Sequence, residues 1–296
     1  MKIGIAGTGR MGAAIGARLM DRGHEIHAWN RSAAKTKPLT DKGAKPAATP
    51  AELAARCDAI LTILTDSAAI DAVYNGPHGL LSGNVAGKLF LEMSTVPSAA
   101  ERALAPRVVA KGAVMVECPV GGSTVPARDG KLFGFMGGAE ADVACARPII
   151  DELCRRAEHV GPIGAGAAMK LAINLPLAVY WQAFGEALSL VQPLGLPPER
   201  LIDIFSDTSG GPNMLKPLGP NIVQALKGDP AVGVFFDVDS VRKDLRTMLE
   251  EAQDKPLPVV SQALAVFNEA SAAGYGERNC STLLAYWLEN GKKFGR

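Results

Sequence analysis

The first half of the chain alternates short apolar runs with longer stretches of mixed polarity. The runs are residues 2–6, 25–29, 59–64, 88–93, 114–117 and 132–136. Such short runs, bounded by Gly, Pro, Asn or Ser, read as buried strands, and residues 13–22 read as a helix ending at Gly23. Strand runs alternating with helices indicate an α/β fold with a doubly wound, mostly parallel sheet of Rossmann type. Ligands of such sheets bind beyond the carboxyl ends of the strands. That rule places Thr65-Asp66, Ser94-Thr95 and Gly121-Gly122 at one cofactor cleft.

The alternation stops at the glycine cluster Gly161, Gly164 and Gly166. Residues 167–194 are apolar and small, and they predict a long helix leaving the first domain. Pro176 is expected to break or bend that helix near its first turns. From Leu196 onward the pattern is helical throughout, with breaks at 209–212, 228–230, 255–258 and 274–276. The expected organisation is therefore a dinucleotide-binding domain over 1–163 and an all-helical substrate and oligomerisation domain over 164–296, joined by the long interdomain helix.

Composition narrows the partners. At 296 residues the chain exceeds the usual single-domain size, and its 48% apolar content is ample for a core. A net charge of +1, with no basic stripe beside aromatics, argues against nucleic acid. No window approaches 18 uninterrupted apolar residues, which argues against a membrane span. The N-terminus opens directly on a strand, so no signal or transit peptide is expected. Cys57, Cys118, Cys145, Cys154 and Cys280 lack metal-ligand or disulfide-framework spacing, which points to reduced thiols in the cytoplasm and no metal.

Gly7-Thr8-Gly9-Arg10-Met11-Gly12 fits G-x-G-x-x-G between the first strand and the first helix. One glycine makes the tight turn, one lets the backbone approach a pyrophosphate, and one permits close packing. The helix N-terminus then offers N–H groups to the anion. The end of the second strand selects the dinucleotide. A carboxylate there would accept from an NAD ribose and repel a 2′-phosphate, but Asn30, Arg31 and Ser32 include none. Arg31 has the fork geometry suited to phosphate, Ser32 adds a hydroxyl, and Lys35 follows one turn on. NADP is the expected cofactor; an ordinary solvated basic turn is the alternative.

Reduction of a carbonyl needs a proton donor. His24, His27, His78 and His159 read as surface or core residues. Lys170 is the better candidate, because Lys170 and Asn174 are four residues apart on one helix face at the domain boundary. Desolvation in so apolar a stretch would lower the lysine's pKa toward a useful range. A snorkelling surface lysine beside an unrelated asparagine is the competing reading.

Taken in order along the chain, these motifs resemble the β-hydroxyacid dehydrogenase family, which includes 3-hydroxyisobutyrate dehydrogenases and glyoxylate/succinic semialdehyde reductases. The resemblance covers essentially the whole chain. It rests on the glycine turn, on Glu92-Met93-Ser94-Thr95, on Pro119-Val120-Gly121-Gly122 with Gly130-Lys131-Leu132 and Gly137-Gly138, on G-x-x-x-K-x-x-x-N from Gly166 to Asn174, and on Phe236 with Lys243-Asp244-Leu245.

The resemblance implies that Lys170 is the general acid/base and that Asn174 orients the substrate. Backbone N–H groups around Gly122 and Ser123, beside Gly121, would hold the substrate's carboxylate. Lys243, from the second domain, would help close the site over cofactor or substrate, unless it is a surface lysine paired with Asp239 or Asp244. Leu64, Thr65 and Thr95 would join residues 7–12, Asn30, Arg31, Ser32 and Lys35 at the NADP. The implied substrate is a small carboxylate-bearing aldehyde or hydroxy acid, and the expected assembly is a homodimer or homotetramer.

Three positions depart from the family's pattern. A serine is usual where this chain has Gly121, and a hydroxyl appears instead at Ser123. Sulfolactaldehyde reductases carry an arginine at the position of Gly122 and a serine at that of Ala178, so a sulfonate substrate is not favoured. An acidic residue common near the C-terminus is replaced by Asn279. Two other activities share parts of the pattern: an imine reductase-like NADPH enzyme, which would lack the lysine and the Pro-Val-Gly-Gly loop, and a redox-silent NADP-binding protein.

Overall fold

A computed structural model describes residues 1–229 and 231–290. The chain divides into two compact units, Met1–Ala172 and Ile173–Arg296.

The apolar runs of the first unit form one sheet. Its strands are β1 (Lys2–Ala6), β2 (Glu25–Trp29), β3 (Lys45–Pro46), β4 (Ala59–Thr62), β5 (Leu89–Glu92), β6 (Val114–Glu117), β7 (Val120–Gly121), β8 (Leu132–Gly137) and β9 (Cys154–Gly161), in the order β3-β2-β1-β4-β5-β6-β8-β7 with β9 on β8. From β3 to β6 every pairing is parallel. β8 runs against β6 and β7 and is parallel to β9. The strand order reverses beside β1, between β2 and β4, the kind of switch point at which open α/β sheets bind ligands.

Helices cover both faces. They are α1 (Arg10–Asp21), α2 (Lys37–Thr40), α3 (Pro50–Arg56), α4 (Ser67–Asn75), α5 (Ser98–Val109), α6 (Thr124–Asp129) and α7 (Glu140–Leu153). Because side chains alternate along a strand, neighbouring residues feed different cores. Leu61, Leu91 and Val116 pack with Ile15, Leu19 and Ile150 of α1 and α7. Their neighbours Ile60, Phe90 and Met115 pack with Leu53, Tyr74 and Leu104 of α3, α4 and α5. Local caps begin two of these helices: Thr49 Oγ1 accepts the Glu52 N–H at 3.1 Å, and Asp66 Oδ1 accepts the Ala69 N–H at 2.7 Å. α1 starts at Arg10, three residues before the stretch read as helical from sequence, because its first turn carries no apolar periodicity.

α8 (Ala165–Val191) starts in the first unit and continues into the second. The division falls inside it, after a first turn whose N–H groups are bonded by Glu117. Pro176, expected to break or bend the helix, does not break it. The second unit continues with α9 (Pro198–Ser206), α10 (Leu215–Leu226), α11 (Val238–Ala252), α12 (Pro258–Ala270) and α13 (Thr282–Asn290). α9 packs on α10, and α11 on α12. The break read at 228–230 includes Pro230, which lies outside the described residues. No helix among the described residues is long and apolar enough to cross a membrane.

Candidate active site

β1 runs into Gly7-Thr8-Gly9, and α1 begins at once. Two of the three motif glycines are demanded by the chain itself. Gly7 has φ +98°, and a Cβ there would lie 2.1 Å from the Ile63 carbonyl; a Cβ on Gly12 would lie 1.9 Å from the Gly7 carbonyl. Gly9 is different. Its φ is −64°, and a Cβ would meet no protein atom within 4 Å. The protein gives no reason for a glycine there, whereas a phosphate resting on the N-terminus of α1 does. No side chain caps that N-terminus. The residues fit a dinucleotide pyrophosphate.

The turn after β2 is tied to this cradle. Asn30 Oδ1 accepts the Thr8 N–H at 3.1 Å, and Asn30 Nδ2 donates to the Ser32 carbonyl at 3.0 Å. Thr8 Oγ1 donates to the Lys35 carbonyl at 2.8 Å. Asn30 therefore braces the loop, while Arg31, Ser32 and Lys35 are exposed, and residues 30–36 contain no carboxylate. The Leu64 N–H donates to Ser94 Oγ at 2.8 Å, which joins the loops after β4 and β5; Thr65 is exposed and Thr95 half-buried.

Three glutamates are buried at or near this carboxyl edge, and the sequence assigned none of them a role of its own. Glu92 and Glu117 end β5 and β6, and Glu101 lies on α5. Glu92 accepts from the Ser94 N–H at 3.0 Å, from Thr62 Oγ1 at 3.2 Å and from Ser94 Oγ. Glu101 Oε2 is buried without a protein partner. Burial pushes both carboxyls upward, and the nearby charge of Glu92 adds to the rise at Glu101. The proton of the pair therefore rests on Glu101, which donates it to Glu92.

A carboxyl whose folded pKa lies above its unfolded one stabilises the fold at low pH, and that contribution is lost as pH rises through the folded value. Glu101→Gln keeps a donor toward Glu92 and removes the titration. As pH rises from 5, the wild-type Tm is expected to fall by roughly 2–4 °C more than that of the variant, which corresponds to about 1 kcal/mol. Parallel Tm–pH curves would contradict this assignment.

Glu117 reaches α8. Its Oε1 accepts the N–H groups of Gly164 at 2.6 Å and Gly166 at 2.8 Å, and its Oε2 accepts that of Ala167 at 3.3 Å. Lys170 follows one turn on and is only 8% exposed, so the solvated snorkelling alternative does not describe it. In the substrate loop, Gly122 has φ +121°, and a Cβ would lie 2.8 Å from Leu132 Cδ2. Ser123 begins α6 without using its hydroxyl as a cap.

In the second unit Asn174 Nδ2 donates to Asp244 Oδ2 at 3.0 Å, and Lys243 Nζ pairs with Asp244 Oδ1 at 2.6 Å. A carboxylate only accepts, so the buried Asp244 sets which end of the Asn174 amide faces it. Of the two partners considered for Lys243, Asp244 is the one realised; Asp239 pairs with Arg242 at 3.1 Å. Asn279 is a structural tie. Its Nδ2 donates to the Gly233 carbonyl at 2.6 Å, and its Oδ1 accepts the Ser281 N–H at 3.0 Å.

The histidines are accounted for elsewhere. His24 bonds Glu152 at 2.8 Å, His27 bonds Glu25 at 2.9 Å, His159 donates to the Gly138 and Gly161 carbonyls at 2.9 and 3.0 Å, and His78 is exposed. Cys118 is fully buried, and burial raises its thiol well above the ordinary range, so it packs rather than reacts.

Residues 2–161 match the family model described as the NAD binding domain of 6-phosphogluconate dehydrogenase. Residues 164–287 match that described as the NAD-binding domain of NADP-dependent 3-hydroxyisobutyrate dehydrogenase. Glyoxylate/succinic semialdehyde reductase 1 of Arabidopsis thaliana is 31% identical over 96% of this chain and 97% of its own. 2-(Hydroxymethyl)glutarate dehydrogenase of Eubacterium barkeri is 31% identical over 97% and 95%. The crystal structure of 3-hydroxyisobutyrate dehydrogenase from Salmonella typhimurium superposes with a TM-score of 0.84 at 26% identity, covering 97% of this chain and 99% of that one.

Proposed function

The chain belongs to the β-hydroxyacid dehydrogenase family, and we propose that within it this protein is an NADP(H)-linked reductase of a small carboxylate-bearing aldehyde, interconverting it with the 3-hydroxy acid. The observation that carries the proposal is a nearly buried lysine, Lys170, on a helix fastened to the sheet edge that also bears the nucleotide cradle.

Residues 7–12 would hold the pyrophosphate. Arg31, Ser32 and Lys35 would hold the 2′-phosphate, and Leu64, Thr65 and Thr95 would border the nicotinamide end. When bound, NADPH supplies the hydride taken up by the carbonyl carbon. Lys170 gives its proton to the carbonyl oxygen as that oxygen becomes a hydroxyl, and in the oxidative direction it takes the proton back. Asn174 orients the reacting group, with its amide direction set by Asp244. The backbone N–H groups of Gly122 and Ser123 hold the substrate carboxylate, and Lys243 is the second unit's cation for cofactor or substrate.

Initial rates by nicotinamide absorbance with NADPH, across glyoxylate, succinic semialdehyde, methylmalonate semialdehyde, tartronate semialdehyde and a cyclic imine, test this reading. Turnover of a semialdehyde is expected. Rates with the imine alone, or tight NADPH binding with no turnover, would overturn it.

Gly121 bears on substrate choice. A Cβ there would approach nothing closer than 3.8 Å, at Phe133, so the fold does not require glycine. Gly121→Ser is therefore expected to fold with a stability change within about 0.5 kcal/mol. Its added hydroxyl should change the kcat/KM ratio between two aldehydes by about fivefold, the worth of one hydrogen bond near 1 kcal/mol. An unchanged ratio across the panel would remove Gly121 from the substrate contacts.

A further inference from the structure

We propose that Glu117 is a positioning residue: by fastening the first turn of α8 to the end of β6, it sets where Lys170 presents its ammonium. The inference rests on the assignment of Lys170 as the proton donor.

The helix caps of the first unit supply the contrast. Thr49 and Asp66 cap α3 and α4 from three residues before the N–H each accepts, which satisfies the helix without fixing it to anything else. The cap of α8 comes from a different element, 47 residues earlier than Gly164. The Glu117 carboxylate accepts three N–H groups that the first turn cannot satisfy internally, and its negative charge suits the helix N-terminus. A cap supplied by a buried strand locks the helix to the sheet.

The surroundings leave room for this carboxylate and little else. A Cβ on Gly137 would lie 2.1 Å from Glu117 Oε1, and a Cβ on Gly166 would lie 2.4 Å from the Phe135 carbonyl. Gly166 thus lets the turn settle onto β8 and Glu117 together. Lys170 stands four residues after Gly166, on the same helix face, and helical side chains lean toward the N-terminus. Its side chain therefore overlies the turn that Glu117 holds. The loop carrying Gly121 and Gly122 begins two residues beyond Glu117, so one carboxylate references both the proton donor and the substrate loop.

The role requires the anion, since the three groups that bond the carboxylate are all N–H donors. The titratable or charged groups around it are Glu92 on β5, Glu101 on α5 and Cys118 just after β6, with Arg102 of α5 against Gly164. Burial pushes Glu117 up to about 7, while its three N–H bonds hold it down. Protonation places an O–H against an N–H and loosens the turn.

In the reductive direction Lys170 acts as an acid, so its own titration removes turnover only on the alkaline side. A loss of kcat as pH falls through about 7 therefore reports Glu117. Glu117→Gln is expected to lower kcat at pH 8 by roughly 10- to 100-fold, the cost of a small misplacement of a catalytic group, with the aldehyde KM and NADPH Kd within about threefold. Its pH profile should lack the acid limb. Independently of turnover, protection from hydrogen exchange over residues 164–167, taken relative to the intrinsic rate at each pH, should fall in the variant at pH 8 and in wild type at pH 6.

An unchanged kcat, an acid limb retained in the variant, or unchanged exchange overturns the proposal. Should Glu117→Gln fail to fold, Gly137→Ala decides the matter by pressing a methyl group against Oε1: loss of kcat supports the role and an unchanged kcat refutes it. Should Lys170→Ala retain turnover, the assignment of the proton donor has failed instead, and exchange over 164–167 alone decides whether Glu117 holds the turn.

Discussion

Lys170→Ala is expected to lower kcat for aldehyde reduction by roughly 10²–10⁴-fold, the usual worth of a positioned general acid, with NADPH affinity within about threefold of wild type. The separation follows from where the groups sit. The nucleotide cradle is built from the β1–α1 turn and the turn after β2, whereas Lys170 stands on the second turn of α8. Removing its ammonium leaves the cradle intact and takes away the proton that the carbonyl oxygen needs. Lys170→Arg sharpens the test. Arginine keeps the positive charge, but its guanidinium does not deprotonate in proteins, so it cannot serve as a base in alcohol oxidation. Loss of oxidation in both variants identifies proton transfer as the function of Lys170. Wild-type rates in Lys170→Ala would place the donor elsewhere.

The second large effect concerns cofactor choice. Arg31→Ala combined with Lys35→Ala is expected to lower kcat/KM for NADPH by roughly 10²-fold and to leave NADH within about threefold. Charge-assisted bonds to phosphate are strong, but both side chains are exposed, so screening by salt tempers them. For the same reason the wild-type preference for NADPH should shrink as ionic strength rises. Asn30 stays untouched because it braces Thr8, and its removal would disturb both cofactors. An unchanged NADPH:NADH ratio in the double variant would show that the basic turn is only a solvated surface.

The parts of the site that were readable from sequence are those encoded locally. A five-residue apolar run, three spaced glycines and a turn without carboxylates lie within residues 2–36, and the structure places them as one cradle. The Lys170–Asn174 spacing was likewise visible within one helix. What stayed hidden depends on distant partners. Glu92 and Glu117 are the last residues of β5 and β6, and nothing near them in the chain shows why a carboxylate is buried there. Their burial makes sense only beside Ser94, Glu101 and the N–H groups of residues 164–167. Glu101 sits in a stretch, Ser98-Ala99-Ala100-Glu101-Arg102, that resembles any solvated helix face. The antiparallel return of β8 was equally opaque, because an apolar run does not announce the direction in which it pairs. Pro176 does not break α8, which continues through it to Val191.

The most direct test of the central claim is isotopic. NADPH carrying deuterium at nicotinamide C4, in each of its two stereochemical forms, would be incubated with the best aldehyde of the panel, and the product mass measured. The expected product is a hydroxy acid with one deuterium on the carbinol carbon from one form and none from the other, with Lys170→Ala giving roughly 10²–10⁴-fold less of the same labelled product in the same time. Consumption of the aldehyde without label from either form, or NADPH bound and never oxidised, would contradict it.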